Sequence, residues 1–138
     1  MERWFLDTSF LIALASRADR HHAQAIALLD ATELAARHLV TTDAVLLELG
    51  GALSRLAHRR GAATIIRELR SDARVEVVAL ASSLMDRALE LFGNRDDKEW
   101  SLADCIAFEV MRERGVTLAL TADAHFEQAG FVALLRSK

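Results

Sequence analysis

The sequence has no proline and no tyrosine, only one cysteine, and six glycines in 138 residues. The single cysteine, Cys105, excludes an internal disulfide framework. Without proline or a Gly/Ser-rich stretch nothing marks a linker, so we expect one domain over residues 1–138. No segment approaches the ~20 apolar residues of a membrane span, and the N-terminus lacks the apolar segment of a signal peptide. We therefore expect a cytoplasmic protein that does not associate with membranes.

Basic residues are too few for a protein that coats nucleic acid: 17 Lys and Arg stand against 20 Asp and Glu, for a net charge of −3. A nuclease is not excluded, because the carboxylates of a metal site offset basic residues elsewhere. Nearly all the basic residues are arginines, which suit bidentate contacts with phosphate. Those at His58–Arg60, Arg67 and Arg70 are open to two interpretations, a surface for RNA or a protein partner and an ordinary solvated helix face.

Short β-like runs alternate with helical patterns along a chain that is 52% hydrophobic. The predicted strands are Arg3–Leu6, His38–Thr41, Arg74–Ala79, Thr117–Leu120 and Phe131–Leu135. The predicted helices are Ser9–Ala15, Arg20–Ala36, Asp43–Arg59, Ala62–Ser71, Ser82–Gly93, Ser101–Arg114 and Ala124–Ala129. Strands separated by helices predict an α/β fold with a parallel sheet covered on both faces. In such folds ligands bind beyond the carboxyl ends of the strands.

Four acidic residues border apolar segments that are spread over the whole chain: Asp7, Glu48, Asp104 and Asp123. Asp7 and Asp123 directly follow predicted strands, and the other two lie about one turn inside predicted helices. A carboxylate beside core-forming segments is costly unless it is paired, hydrogen-bonded or bound to a metal. Four of them indicate a shared divalent cation and chemistry on phosphate. The competing interpretation is four unrelated capping or surface acids.

The segments around these acids resemble the PIN-domain nucleases, and among them the VapC-type toxins of bacterial toxin–antitoxin pairs. The matching segments are Phe5–Ser9, Thr41–Gly50, Asp97–Cys105, Leu120–Phe126 and Ala129–Phe131. Each motif alone is weak, but their order and positions cover nearly the whole chain. One departure is Gly50-Gly51, where a bulkier polar residue is expected beside the glycine.

The resemblance implies a Rossmann-like, three-layer α/β PIN domain with a central parallel β-sheet flanked by helices. It also implies an endoribonuclease that depends on Mg²⁺ or Mn²⁺, a cognate antitoxin, an RNA substrate and commonly a homodimer. The implied catalytic quartet is Asp7, Glu48, Asp104 and Asp123. Hard oxygen ligands of this kind suit these ions.

Within this quartet, we expect Asp7, Asp104 and Asp123 to bind the metal directly. The longer Glu48 is expected to act through water or to orient the nucleophile. Accessory residues are Thr8, Ser9, Ser101 and Thr121 through their hydroxyls, and Asp97 as either an accessory acid or a solvated loop charge.

Further expectations concern the partner and the remaining chemistry. Helices Arg20–Ala36 and Asp43–Arg59 are expected to form a groove for the antitoxin, with Arg55 and Arg59 on the Glu48 side of their helix. Cys105 is expected to be an inert core residue. His125 is open to two interpretations: a role near the site, because it lies beside Asp123, and packing at a helix start, which we favour.

Two other functional classes remain as alternatives. An aspartyl phosphatase would need a second Asp two residues after the first, where the chain has Ser9, and a supporting Lys that is missing. A non-catalytic module that has kept the PIN fold would be recognised by loss of one of the four acids, and all four are present. A nuclease of the same fold that is not a toxin is the third possibility.

Overall fold

The computed structural model describes residues 2–31 and 36–136. The strands are β1 (Trp4–Leu6), β2 (Leu39–Thr42), β3 (Val75–Val78), β4 (Leu118–Leu120) and β5 (Val132–Ala133). The helices in the described ranges are α1 (Thr8–Ala15), α2 (His22–Asp30), α3 (Asp43–Ala52), α4 (Leu56–Ser71), α5 (Ser82–Asn94), α6 (Leu102–Arg114) and α7 (Ala124–Gln128). None of these helices combines the length and the apolar character needed to span a membrane.

The five strands form one parallel sheet in the order β3-β2-β1-β4-β5, which confirms the predicted α/β class. The chain builds outward from β1 through β2 to β3 and then crosses to β4 on the other side of β1. The order therefore reverses beside the carboxyl end of β1, which is where open α/β sheets place ligands. Asp7 follows β1 and Asp123 lies just beyond β4, so both are at this edge.

Aromatic packing fixes the helices that carry the other acidic segments. The Phe108 ring of α6 meets the Phe126 ring of α7 edge-on, with 5.0 Å between centroids. Phe126 in turn packs against Phe5 of β1, and Trp100 packs edge-on against Phe108. All four rings belong to buried residues, and Phe5, Phe108 and Phe126 are fully buried. This cluster holds the starts of α6 and α7 beside the end of β1, because large buried rings tolerate little displacement.

One predicted helix is wrong: Asp43–Arg59 is not continuous. α3 ends at Ala52, and Leu56–Arg59 belongs to α4, which begins six residues before the predicted Ala62. Leu53 is buried and closes α3, whereas Leu56 is 91% exposed, so the apolar stripe stops between them. The turn leaves the Ser54 carbonyl free to accept a hydrogen bond from Arg59 Nη1 at 2.7 Å.

Apart from the end of the predicted helix Arg20–Ala36, which stops at Asp30 with Ala31 as its C-cap, the other predicted boundaries agree with the structure to within about three residues. Thr42 caps α3 by accepting from the Val45 amide at 3.1 Å, as predicted. Gly115 ends α6 in the left-handed conformation, with φ of 64°, as its position predicted. The predicted helix Arg20–Ala36 is observed as α2 over His22–Asp30, and most of the predicted final turn lies outside the described residues.

Candidate active site

Asp7 is held at the end of β1 by hydroxyl groups rather than by a basic residue. It is only 7% exposed. Its Oδ2 accepts hydrogen bonds from Thr121 Oγ1 at 2.6 Å and from Ser9 Oγ at 3.1 Å. Burial raises the pKa of Asp7 from 3.8 to about 6, and the nearby charge of Asp104 adds to the rise against the opposing hydrogen bonds. A buried carboxylate in this state favours the approach of a proton or a cation.

Thr121 links the two strand-end aspartates. Its hydroxyl donates to Asp7 and accepts from the backbone amide of Asp123 at 3.0 Å. Ser9 Oγ lies 3.0 Å from Thr121 Oγ1 and accepts from the Ala122 amide at 2.9 Å. These bonds tie the start of α1 to the loop that follows β4. The predicted accessory residues Ser9 and Thr121 therefore fix the distance between two predicted ligands.

Asp104 lies in the first turn of α6, within a capping box. Ser101 Oγ accepts from the Asp104 amide, and Asp104 Oδ2 accepts from the Ser101 amide, both at 3.0 Å. Ser101 is thus the helix cap, which keeps the Asp104 carboxylate at the carboxyl edge of the sheet. The same Oδ2 lies 2.8 Å from His125 Nδ1, which joins α6 to α7.

Glu48 approaches the site from α3. Its Oε1 accepts from Thr8 Oγ1 at 2.8 Å, so the residue after Asp7 orients the fourth acid. Partial loss of water raises the pKa of Glu48, and the charges of Asp104 and Asp123 add to this rise. The longer side chain leaves the residue as a whole exposed to solvent. Its position agrees with a role through water.

The structure brings the four predicted acids into one electrostatic cluster. Potential ligand atoms of Asp104, Asp123 and His125 lie within 4.8 Å of one another. Asp7 and Glu48 are close enough for neighbouring carboxylates of the cluster to shift their pKa values. Among the described residues, no Arg or Lys forms an ion pair with any of the four acids. Several carboxylates without a basic partner can bind a hard divalent cation and place it beside a phosphate.

Asp97 is not brought into this cluster by any hydrogen bond of the described residues. Its carboxylate forms two hydrogen bonds with the Arg95 guanidinium, at 2.9 and 3.1 Å, and it is exposed. The adjacent guanidinium lowers the pKa of Asp97. These contacts agree with the solvated loop charge, one of the two interpretations of this residue.

His125 is the site residue that the sequence did not assign. Its backbone amide donates to Asp123 Oδ1 at 2.8 Å, which is the expected helix-start contact. Its ring, however, also lies 2.8 Å from Asp104 Oδ2 and 3.4 Å from Asp123 Oδ1. The only signal in the sequence is its position two residues after Asp123. Cys105 is fully buried beside the site, and burial raises the pKa of its thiol, so it is an inert core residue.

Comparison with protein families shows a match of the PIN domain to residues 4–132. Among curated proteins, the 23S rRNA-specific endonuclease VapC20 of Mycobacterium tuberculosis is 34% identical over 129 residues. The alignment covers 93% of this chain and 95% of that protein. Near-complete coverage of both chains places the match over the entire described site.

Solved structures show the same similarity. The crystal structure of Mycobacterium tuberculosis VapC20, described as a sarcin-ricin loop cleaving toxin, superposes with a TM-score of 0.82 at 32% identity, covering 93% of this chain and 95% of that chain. VapBC2 from Rickettsia felis, bound to a promoter DNA fragment, gives 0.64 at 14% identity, with 95% and 96% covered. FitAcB from Neisseria gonorrhoeae gives 0.64 at 16% identity, with 94% of each covered. The latter two share the fold.

Proposed function

The chain belongs to the PIN-domain family, and from this premise we propose that it is a metal-dependent endoribonuclease, the toxin of a toxin–antitoxin pair. The proposal is carried by one observation: four carboxylates from four separate segments meet at the carboxyl edge of the sheet without a basic partner among the described residues. The relative VapC20 is an rRNA-specific endonuclease, which supports RNA as the substrate class.

The residues present fit a divalent cation. The donor set is made of hard carboxylate oxygens, and the buried Asp7 carries a pKa raised by lost hydration and by the charge of Asp104. We propose Asp7, Asp104 and Asp123 as the direct ligands of Mg²⁺ or Mn²⁺. A bound ion of this kind lowers the pKa of an attacking water and stabilises negative charge on the leaving oxygen.

The chain's own residues prepare the reaction by positioning. Thr121 and Ser9 hold the buried Asp7, and Thr8 aims Glu48 at the cluster. We assign Glu48 the role of orienting the attacking water, because it is the most exposed acid of the quartet and reaches the cluster from a different helix. His125 holds Asp104 from α7 and keeps one of its oxygens directed into the site.

The partner and setting follow from the same family. VapC20 is described as a sarcin-ricin loop cleaving toxin, and we propose that an antitoxin neutralises this chain. Because VapC20 acts on 23S rRNA, we propose that this chain acts in the cytoplasm. A homodimer stays a prediction, which light scattering on the purified chain will check.

The groove predicted for the antitoxin needs one correction. Arg55 and Arg59 do not share a helix with Glu48, because α3 ends at Ala52 and Arg55 is the N-cap of α4. The prediction that both arginines stand on the Glu48 side of one helix is therefore wrong. We make no assignment of the antitoxin to these two residues.

The deciding experiment is cleavage of purified RNA, with 23S rRNA as the first substrate. We expect cleavage with Mg²⁺ or Mn²⁺ and none with EDTA. Expression of the chain alone should slow growth, and co-expression of the partner should relieve it. Cleavage that survives chelation would overturn the metal mechanism, and an active enzyme without effect on growth would favour a nuclease that is not a toxin.

A further inference from the structure

Thirteen of the fifteen arginines fall into two groups; the other two, Arg17 and Arg20, are exposed and form no ion pair among the described residues. Eight form ion pairs with carboxylates: Arg3, Arg37, Arg74, Arg87, Arg95, Arg112, Arg114 and Arg136. The five arginines between residues 55 and 70 form none within the part of the chain that the structure describes. With Glu68 as the only acid there, residues 55–70 carry a net charge of +4, and the rest of the chain must carry −7 to reach the total of −3.

Four of these arginines lie on one side of α4. At 100° per residue, Arg59, Arg60, Arg67 and Arg70 fall within an arc of about 100°. They span eleven residue steps, or roughly 16 Å along the helix axis. Like charges so placed repel one another and weaken an isolated helix. Among the described residues, Arg59 Nη1 donates to the Ser54 carbonyl, and the guanidinium groups of Arg60, Arg67 and Arg70 form no hydrogen bond that would offset this repulsion.

The same side of α4 borders an open cleft against α3. The cleft has a volume of about 660 Å³ and contains no acidic residue in its lining. Arg59, Arg60 and Arg67 line it together with the hydroxyl residues Ser54 and Thr64. Small residues, Gly50, Ala62 and Ala63, also line it and leave the space open. This cleft is separate from the acidic cluster. Its lining residue Gly50 follows Glu48 by two residues on α3.

We propose that the α3–α4 cleft binds backbone phosphates of the RNA substrate at a distance from the cleaved bond. Guanidinium groups with nearby hydroxyls and no carboxylate suit phosphate oxygens. Neutralising several phosphates supplies sequence-independent affinity, which an acidic protein needs if it is to bind RNA at all. Glu48 and the cleft residue Gly50 are about 200° apart around α3, so an RNA strand that contacts both must pass around this helix. This inference rests on the proposed ribonuclease function.

RNA is favoured over an acidic protein segment by the chemistry of the lining. A protein partner binds chiefly through large apolar anchors that fill pockets. The large apolar residues of this cleft are Leu53, which is buried, and Ile66, which is half-buried. Among the described residues, the lining therefore presents no fully exposed large apolar side chain to anchor a protein segment.

The test compares two double variants with equal loss of charge. Arg60→Gln with Arg67→Gln changes the cleft. Arg17→Gln with Arg20→Gln is the matched control, because both residues are exposed and form no ion pair in the described chain. Affinity for a fluorescein-labelled sarcin-ricin hairpin RNA is measured by anisotropy in EDTA over a range of salt concentrations. Melting curves verify that both variants fold.

We expect the cleft variant to bind RNA about tenfold more weakly, with the slope of log Kd against log salt reduced by about 1.4, as for two lost phosphate contacts on single-stranded RNA. The control should change both quantities much less. Arg60→Lys with Arg67→Lys should keep most of the slope, since its charge is retained. Equal losses in the cleft variant and the control would overturn the proposal.

The remaining outcomes separate this proposal from the function it rests on. If the wild type cleaves RNA and the cleft variant keeps the wild-type affinity for RNA, the proposed role of the cleft is overturned and the ribonuclease function stands. Wild type that neither binds nor cleaves RNA would overturn both. If the cleft variant loses binding of poly-glutamate but keeps its affinity for RNA, the cleft binds an acidic protein and the proposal is overturned.

Discussion

The carboxyl edge of the sheet and the exposed side of α4 are opposite in charge, but in both places the charged side chains lack a partner of opposite charge among the described residues. At the edge, four carboxylates meet without an Arg or Lys partner among the described residues; on α4, four arginines stand without a carboxylate partner. At several other places opposite charges meet, as in the two-point contact of Arg114 with Glu76 at 2.8 and 2.9 Å. Paired charges satisfy one another within the fold, whereas the unpaired ones are available to a ligand. The comparison indicates a cation at the edge and an anion on α4.

The largest effect on activity is expected when negative charge is removed from the carboxyl edge of the sheet. Asp7→Asn, Asp104→Asn and Asp123→Asn should each lower the rate of RNA cleavage by at least about a thousandfold, because each removes a proposed ligand while keeping the side-chain shape. Initial rates and melting curves are measured together. Asp86→Asn, an exposed acid on α5, is the control and should retain the wild-type rate. Full activity in a folded Asp104→Asn variant would remove that residue from the site.

Leaving the buried Asp7 carboxylate without a basic partner should lower the free energy of unfolding of the metal-free protein at neutral pH. Burial raises the pKa of Asp7 from 3.8 to about 6, so between these values the folded chain binds more protons than the unfolded one. Stability from this residue is therefore present at low pH and is lost as the pH rises through about 6. Asp7→Asn in EDTA should be more stable than wild type at pH 7.5 by up to about 3 kcal/mol, as the rise of the Asp7 pKa from 3.8 to about 6 implies.

Urea unfolding at two pH values measures this difference. Near pH 4, wild-type Asp7 is protonated in the folded state, and the advantage of the variant should shrink. A variant that is less stable than wild type at pH 7.5 would show that the hydroxyl contacts of Asp7 outweigh its desolvation.

A smaller effect is expected from His125, whose ring contacts two acids of the edge. His125→Ala should lower the affinity for Mn²⁺ by about tenfold, because residues that orient metal ligands contribute on this scale. Calorimetric titration of the nuclease with Mn²⁺ measures this loss. His38→Ala, an exposed histidine at the amino end of β2, is the control. Equal Mn²⁺ affinity in both variants would limit His125 to capping α7.

The mildest change places an acid on the arginine side of α4. Ala63 lies four residues from both Arg59 and Arg67, so Ala63→Glu can pair with either. We expect helix stability to rise by about 0.3 kcal/mol and RNA affinity to fall about threefold as the cleft is neutralised. Ala63→Gln, equal in size, should show neither effect. Identical RNA affinity in the two variants would mean that the charge of the cleft does not contact RNA.

Much of the acidic edge could be predicted because its placement depends on local signals. Short apolar runs ending in Asp7 and just before Asp123 mark the carboxyl ends of two strands, and parallel strands bring those ends together. Ser101 three residues before Asp104 indicates a capped helix start. These signals place three acids before any tertiary contact is known.

The remaining features depend on packing that no local pattern contains. The contact of His125 with Asp104 joins residues 21 apart and requires the mutual orientation of α6 and α7, which the Phe108–Phe126 contact sets. The break between α3 and α4 was missed because helical periodicity continues through Leu53 and Leu56, although only the first is buried. Without that break, the arginine side of α4 could not be located.

One oxygen of the Asp104 carboxylate, Oδ2, accepts the hydrogen bond of the Ser101 amide that caps α6 and also contacts the His125 ring. An ion that draws on this carboxylate therefore changes the capping-box hydrogen bond from the Ser101 amide at the start of α6. Binding of a metal ion at Asp104 should therefore change the protection of the Ser101 backbone amide. Its hydrogen-exchange rate should follow metal loading in solution, even when no RNA is present and no bond is cut.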